Sequence, residues 1–187
     1  MNTNESHIIA QVLAGKTEAF AYFLDTYGQQ IFTLIVRMVS SPEDAEELTQ
    51  DTFMKAFRHL GSFTGGSSFS TWIYRIAYNT ALSALRKRHE EVLAIDDKQW
   101  ERVSETEVDE ALDDDSEDRV ARLQEALQQL APEERAIITF FYEEEKNIDE
   151  IAHILNQSVS NIKVKLHRIR KKLYLLMNKG EISYDNR

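Results

Sequence analysis

Basic side chains without acidic neighbours are the most distinctive chemical feature of this chain. Between Ser158 and Gly180 there is no Asp or Glu, although the whole chain has 32 of them. Lys and Arg grouped in this way can neutralise phosphates and release the counterions of a nucleic acid. Lys and Arg are also good helix formers. The charge alone therefore leaves open whether this segment binds a nucleic acid or is simply a solvated helix face.

Two short helices around a tight turn are expected to position this basic segment. Apolar residues recur at helical spacing from Ile148 to Leu155, and Asn156 then tolerates the left-handed backbone of a sharp turn. Ser158 can cap a second helix that has one apolar stripe and a basic face opposite it. Two helices joined in this way match a helix-turn-helix, whose second helix enters the DNA major groove.

A second candidate surface lies on a predicted helix over 71–88. Trp72, Arg75 and Asn79 share its outer face, where they can stack on unpaired bases, hydrogen-bond base edges and hold phosphates. A Trp at a helix start also commonly covers a core, so both interpretations stay open. The loop before this helix contains Phe63 and Phe69, which either contact a ligand or anchor the loop to the core.

The acidic charge is concentrated in residues 90–118. This segment has 14 Asp or Glu and two basic residues, a net charge of -12, whereas the whole chain carries -10. Like-charge repulsion and few apolar residues predict a linker that is at least partly disordered. Asp113, Asp114 and Asp115 could be taken for metal ligands, but solvated carboxylates without a rigid frame bind metals weakly. We therefore expect no catalytic residue, no metal and no cofactor, and an electrostatic role in which the segment either occupies the basic DNA-binding surface of the protein or repels DNA.

Composition limits the class of protein. With 42% apolar residues, 29% charged residues, 6 Gly and 2 Pro in 187 residues, the chain is typical of a globular all-α protein. The sequence contains no Cys, which excludes disulfides and zinc fingers and suits a reducing compartment. No signal peptide or membrane-spanning run is evident. These features predict a cytoplasmic protein without membrane insertion.

The first half of the chain is expected to be a helical bundle. Helical patterns cover 7–39, and Ser41 with Pro42 forms a start signal for the next helix. Its outer face carries Asp44, Glu47, Gln50 and Asp51, which serve either solubility or a partner. The apolar positions of both helices, Leu24 and Phe57 among them, are assigned to the core.

In four places the sequence resembles the extracytoplasmic-function group of bacterial RNA polymerase sigma factors. The first two are DAEELTQDTFMKAFRHLGSF at 44–63 and FSTWIYRIAYNTALSALRKR at 69–88. The others are LQQLAPEERAIITFFY at 127–142 and IDEIAHILNQSVSNIKVKLHRIRKKL at 148–173. The resemblance implies an all-α fold with two small domains. Its parts are a region 2 bundle (1–89), the acidic flexible linker (90–118), a four-helix region 4 with the helix-turn-helix (119–179) and a C-terminal tail (180–187).

The same resemblance assigns a role to each surface. The core polymerase-binding set, packing on the clamp coiled coil of the largest subunit, is Asp44, Glu47, Gln50 and Asp51. The set that captures and melts the minus-ten element is Phe63, Ser68, Phe69, Trp72, Arg75 and Asn79. The set for the minus-thirty-five element is Ser160, Lys163, Lys165, His167, Arg168, Arg170 and Lys171.

The implied function is that of a sigma factor, which binds core RNA polymerase, directs it to promoters and promotes DNA melting without being an enzyme. The implied partners are core polymerase, promoter DNA and an anti-sigma protein, either soluble or membrane-bound. We expect a monomer. Two rival functions are a free-standing helix-turn-helix regulator, with residues 1–90 as its effector or dimerisation domain, and a Mg²⁺-dependent nucleic-acid enzyme that uses the acidic segment.

Overall fold

The chain is all-α in the part that its computed structural model describes, residues 3–88, 104–112 and 116–178. The acidic residues 113–115, most of the predicted linker and the tail 180–187 lie outside these ranges. The helices in chain order are α1 (Thr3–Leu13), α2 (Ala21–Val39), α3 (Pro42–His59), α4 (Phe69–Arg88), α5 (Glu105–Leu112), α6 (Glu117–Gln128), α7 (Pro132–Ile138), α8 (Ile148–Leu155) and α9 (Val159–Met177). Short 3-10 turns precede α2 and follow α3, and a π-helical turn follows α7.

Local capping explains why several helices begin where they do. The Ser41 hydroxyl accepts a hydrogen bond from the Asp44 amide at 3.2 Å, and Pro42 occupies the first turn of α3. Both features were expected from the sequence. Helix α4 begins earlier than expected, at Phe69, because the Ser68 hydroxyl accepts from the Thr71 amide at 3.0 Å. A side-chain acceptor at this position satisfies an amide that has no partner within the helix.

Helices α1 to α4 form the first bundle, and α6 to α9 form the second. In the first, α2, α3 and α4 pack on one another around fully buried residues such as Phe23, Ile31 and Ile73. In the second, α9 packs on α6, α7 and α8 around Ile137, Ile151 and Ile162. The predicted all-α fold with two helical domains is confirmed. The exact domain boundaries stay a prediction.

The two bundles also pack directly against each other, an arrangement that the sequence did not predict. Helix α2 contacts α7, and α4 contacts α8. At this junction the Tyr74 ring meets the Phe140 ring edge-on, with centroids 5.5 Å apart. Arg37 and Glu143 form an ion pair at 3.3 Å across the same junction. The buried side chains of both bundles therefore form one continuous cluster.

Helix α5 is the second unexpected element. It lies within the segment 90–118, for which the sequence predicted no helix, and packs against α9. The Ser104 hydroxyl accepts from the Glu107 amide at 3.2 Å, while the Glu107 carboxylate accepts from the Ser104 amide at 3.0 Å. This reciprocal capping box starts the helix. The Ser104 amide and, at 2.8 Å, the Ser104 hydroxyl both donate to the Glu107 carboxylate, and these two hydrogen bonds hold the pKa of this exposed carboxyl below its ordinary value.

Candidate functional sites

The turn between α8 and α9 has the predicted geometry. Asn156 ends α8 in the left-handed conformation with φ at 55°, and the Ser158 hydroxyl accepts from the Asn161 amide at 3.2 Å to start α9. Asn147 and Glu150 form a reciprocal capping box at the start of α8, with hydrogen bonds of 2.9 and 3.0 Å. These caps fix the angle at which α9 leaves the turn, so they position its basic face.

The minus-thirty-five candidates on α9 fall into two groups. Ser160, Lys163, His167 and Arg168 are solvent-exposed. The half-buried candidates are Lys165, Arg170 and Lys171. Lys165 pairs with Glu133 at 2.6 Å, Arg170 pairs with Asp109, and Lys171 also has a partner within the chain. The basic face is therefore partly neutralised by the protein itself.

Lys172 is a buried structural residue of this domain and does not contribute to its basic surface. Its side chain is buried, and its ammonium donates to the Glu134 carboxylate at 2.6 Å. The same carboxylate accepts from the Ala131 amide at 2.8 Å at the start of α7. Glu134 thus ties α9 to α7, a role that charge counting along the sequence does not reveal.

Phe69 requires a correction among the minus-ten candidates. Its ring has no exposed surface and stacks on Phe23 with centroids 3.9 Å apart. A ring enclosed in this way cannot contact a base, so Phe69 is a core residue. Phe63 and Trp72 are half-buried and pack on it, with centroid distances of 5.6 and 5.4 Å. Phe69 therefore supports two aromatic side chains that do reach the surface.

Arg75 and Asn79 line a cleft of about 400 Å³ between α4 and the helix-turn-helix. The opposite wall includes Asn156, Gln157 and Lys165. Glu133 lies in the same cleft. Burial alone would raise its pKa, but hydrogen bonds from Lys165 and Gln157 and the charges of Lys165 and Arg86 lower the pKa of this carboxyl below its ordinary value. The face of α4 that carries these two candidates is thus opposed by the other domain.

Tyrosines on α4 mark the contact between the domains. The Tyr74 hydroxyl donates to the Glu144 carboxylate, and the Lys146 ammonium lies 5.1 Å from the Tyr74 ring centroid. Burial, this hydrogen bond and the Glu144 charge strongly raise the pKa of Tyr74. Burial and the charge of Glu133 raise the pKa of Tyr78 to about 12, while Arg86 lowers it. Both hydroxyls therefore stay neutral at pH values above the ordinary pKa of tyrosine.

The four core-binding candidates lie on two sides of α3. Asp44, Glu47 and Asp51 line a polar groove of about 310 Å³ between α3 and α4. Gln50 instead lines an apolar groove of about 640 Å³ between α2 and α3. The other residues of this groove are Phe20, Leu24, Gly28, Thr49, Phe53, Met54 and Phe57. We call it the α2–α3 groove.

Sequence reasoning missed this groove. The helical pattern assigned Leu24 and Phe57 to the core, but their exposed fractions are 45% and 39%, and Met54 beside them is 50% exposed. The available signal was the apolar face of α2, which is broader than one neighbouring helix can cover. Exposed apolar residues gathered in one place usually mark an interaction site, whereas scattered ones need no explanation.

Metal ligation and membrane insertion find no support in residues 3–88, 104–112 and 116–178. Within these ranges no three His, Asp or Glu side chains are grouped so that they could hold a metal ion. The helices there are all too short or too polar to cross a bilayer.

Comparison with known proteins identifies the family. Residues 23–91 match Sigma-70 region 2, and residues 121–173 match Sigma-70, region 4. The chain is 31% identical to the ECF RNA polymerase sigma factor SigW of Bacillus subtilis over 172 residues, which cover 88% of this chain and 92% of that protein. It is 30% identical to the RNA polymerase sigma-H factor of Pseudomonas aeruginosa, covering 89% of this chain and 90% of that protein.

Two solved structures share the fold. One is CnrH in complex with the cytosolic domain of CnrY, with a TM-score of 0.61 and 20% identity over 96% of this chain and 97% of that one. The other is the sigma factor RpoE in complex with the anti-sigma factor NepR from Bartonella quintana, with a TM-score of 0.59 and 23% identity over 89% of this chain and 98% of that one.

The chain belongs to the extracytoplasmic-function group of sigma-70 family RNA polymerase sigma factors. As a sigma factor it binds core RNA polymerase and directs transcription initiation at specific promoters.

Proposed function

We propose that the chain docks on core polymerase through the α2–α3 groove together with the acidic residues of α3, and that it contacts promoter DNA through α4 and α9. The observation that carries this proposal is the gathering of exposed Leu24, Met54 and Phe57 beside Gln50. Apolar side chains in the centre of an interface supply most of its affinity, and charged residues at the rim supply specificity.

The acidic residues would form the rim of this interface. Asp44, Glu47 and Asp51 lie on the side of α3 that faces α4, next to the groove in which Gln50 lies. In the family that this chain belongs to, the corresponding helix packs on the clamp coiled coil of the largest polymerase subunit. A helical partner that is apolar at the centre and basic at its edge fits both grooves of α3.

For the minus-ten element, we assign contacts to Phe63, Ser68, Trp72, Arg75 and Asn79. A base that leaves the duplex loses stacking worth a few kcal/mol, and the half-buried rings of Phe63 and Trp72, 5.2 Å apart, offer a stacking surface that can offset it. The Ser68 hydroxyl already caps α4, so its contribution is mainly to place the loop. Melting then needs no covalent chemistry, and the chain itself is not an enzyme.

For the minus-thirty-five element, we assign direct contacts to the exposed Ser160, Lys163, His167 and Arg168. Lys165, Arg170 and Lys171 would join them once the contacts they make within the chain are exchanged for phosphates. The chain would act as a monomer in the cytoplasm, where it meets polymerase and DNA. A protein of the anti-sigma class is the further partner that we propose, because RpoE, which shares this fold, is a sigma factor in complex with the anti-sigma factor NepR, and CnrH is in complex with the cytosolic domain of CnrY.

Competition for core polymerase tests the docking surface. Asp51→Lys should lower the affinity for bacterial core polymerase by about tenfold or more, since charge reversal in an interface opposes association. Glu125→Lys, on the exposed surface of α6, has the same charge change and should bind like the parent. Displacement of a housekeeping sigma factor from core polymerase gives the affinity. Equal affinities of the parent and Asp51→Lys would refute the assignment.

A further inference from the structure

Helix α5 covers part of the basic side of α9. The Asp109 carboxylate pairs with the Arg170 guanidinium, and Val108 and Ala111 are only 3% and 5% exposed. His167 and Lys171 lie in the same small groove as Val108 and Asp109. An acidic, partly apolar helix is thus docked on three of the side chains assigned to DNA.

The contact is specific and does not follow from charge attraction alone. Val108 and Ala111 are three residues apart and lie on one face of α5, while Asp109 projects beside them towards Arg170. Ser104 and Glu107 start the helix with a capping box. A purely electrostatic tether would need neither a capped helix nor a buried apolar face, so this segment has the features of a docking element.

The contact is also incomplete. The Nε atom of Arg170 is buried without a hydrogen-bond partner among the described residues. The Asp109 side chain is 56% exposed, so solvent screens its pairing with Arg170. An unpaired buried donor weakens the covered state. A DNA phosphate, which offers several acceptor oxygens, can satisfy the guanidinium more fully than Asp109 does.

We propose that α5 is an intramolecular competitor of promoter DNA: it occupies the side of α9 around His167, Arg170 and Lys171, and DNA displaces it. This inference rests on the proposed role of α9 in binding the minus-thirty-five element. The covered state lowers the affinity of the free chain for duplex DNA. The α5 helix therefore acts as a built-in filter against non-specific DNA, because only a site with enough additional contacts replaces it.

Binding of the full chain to a random-sequence 30-base-pair duplex, followed by fluorescence anisotropy at low salt, tests the competition. Asp109→Asn with Val108→Ser removes the ion pair and the buried methyl groups, and should raise the affinity by about three- to tenfold. Asp118→Asn makes the same charge change on α6, where Asp118 pairs only with its helix neighbour Arg122 among the ion pairs of the described residues. Its affinity should stay within about twofold of the parent.

Lys163→Ala separates the failure of this inference from failure of the proposed function. Lys163 is exposed and lies outside the groove formed with α5. If Lys163→Ala weakens binding while the α5 double variant binds no better than Asp118→Asn, the competitor role is overturned and the DNA-binding role of α9 stands. If Lys163→Ala leaves the affinity unchanged, the assignment of α9 fails, and the inference fails with it.

Hydrogen exchange of the parent chain gives a second measurement that does not depend on a variant folding well. On addition of the same duplex, amides in α5 should lose protection while those in the first half of α9 gain it. Exchange in α5 that stays unchanged while α9 becomes protected would mean that DNA binds without displacing the helix, and would overturn the proposal.

Discussion

The surface assigned to polymerase and the surfaces assigned to DNA differ in what already covers them. The α2–α3 groove leaves Leu24, Met54 and Phe57 between 39% and 50% exposed. Lys165 and Arg170, which we assign to DNA contact, instead hold acidic partners from elsewhere in the same chain. If these assignments hold, the chain can bind polymerase without rearrangement, whereas full DNA contact requires internal contacts to open.

This difference suggests an order of events. Polymerase binding would come first, since the α2–α3 groove makes no demand on the contact between the domains. Separation of the two bundles would then free the α4 face that lines the cleft. Contacts with polymerase and with two promoter elements would together supply the free energy that opening costs.

The largest effect is expected from a charge placed in the open groove. Met54→Asp should lower the affinity for core polymerase about 100-fold, because a carboxylate at the centre of an apolar interface is desolvated without a partner. Co-elution with core polymerase in competition with a housekeeping sigma factor measures this change. Leu13→Asp is the matched control, since Leu13 is 58% exposed and does not line the groove. Equal losses in the two variants would mean that the groove is not the docking site.

Alkaline pH should lower the stability of the folded chain through Tyr74, which lies at the contact between the domains. Its folded-state pKa is raised above the ordinary value of 10 by burial and by Glu144. The folded state therefore keeps a proton that the unfolded chain loses, so stability is complete below pH 10 and falls as the pH rises above it. Between pH 8 and pH 11 this tyrosine alone should cost about 1.4 kcal/mol of unfolding free energy.

Chemical denaturation at the two pH values measures that loss. Tyr74→Phe should show a smaller loss than the parent by about this amount. Tyr142→Phe, at a position that is 50% exposed, should lose as much as the parent. A parent and a Tyr74→Phe variant with the same pH dependence would show that Tyr74 is not held neutral at the contact between the domains.

Charge reversal at the junction of the bundles should have a smaller effect. Arg37→Glu places a carboxylate opposite Glu143, with which Arg37 pairs at 3.3 Å. Because these side chains are 54% and 37% exposed, the loss should be about 1 kcal/mol or less. Thermal unfolding measures it, and Arg37→Glu with Glu143→Arg should recover most of it. A double variant as unstable as the single one would argue against the pairing.

The helix starts and the turn of the helix-turn-helix were predictable because their signals are local. The caps at Ser41 and Ser158 and the left-handed Asn156 depend on one residue and its immediate neighbours, and all three were found as expected. The apolar stripes of α2 and α9 were likewise readable from their spacing. The assignment of individual side chains to polymerase or DNA stays a prediction, except that burial removes Phe69 from the DNA-contacting set.

The features that the sequence did not predict depend on contacts between distant segments. Helix α5 was hidden because its apolar face has only Val108, Ala111 and Leu112 among many acids. Periodicity also shows that a side chain is apolar without showing which surface covers it, so Phe57 was assigned to the core although 39% of it is exposed. The contact of Tyr74 with Phe140 joins residues 66 positions apart in the chain, and no local pattern predicts it.

The smallest effect is expected at Glu133, which accepts hydrogen bonds from Lys165 at 2.6 Å and Gln157 at 2.8 Å. Glu133→Gln keeps the shape of the side chain but removes the charge that holds Lys165 in the cleft, so affinity for duplex DNA should rise about twofold while stability falls by less than about 1 kcal/mol. Glu134→Gln is the neighbouring control: it leaves the buried Lys172 without its carboxylate, so it should destabilise the fold more and leave DNA affinity unchanged. If Glu133→Gln does not raise the affinity, Lys165 is available to DNA without competition, and the covered surface is confined to the side of α9 that faces α5.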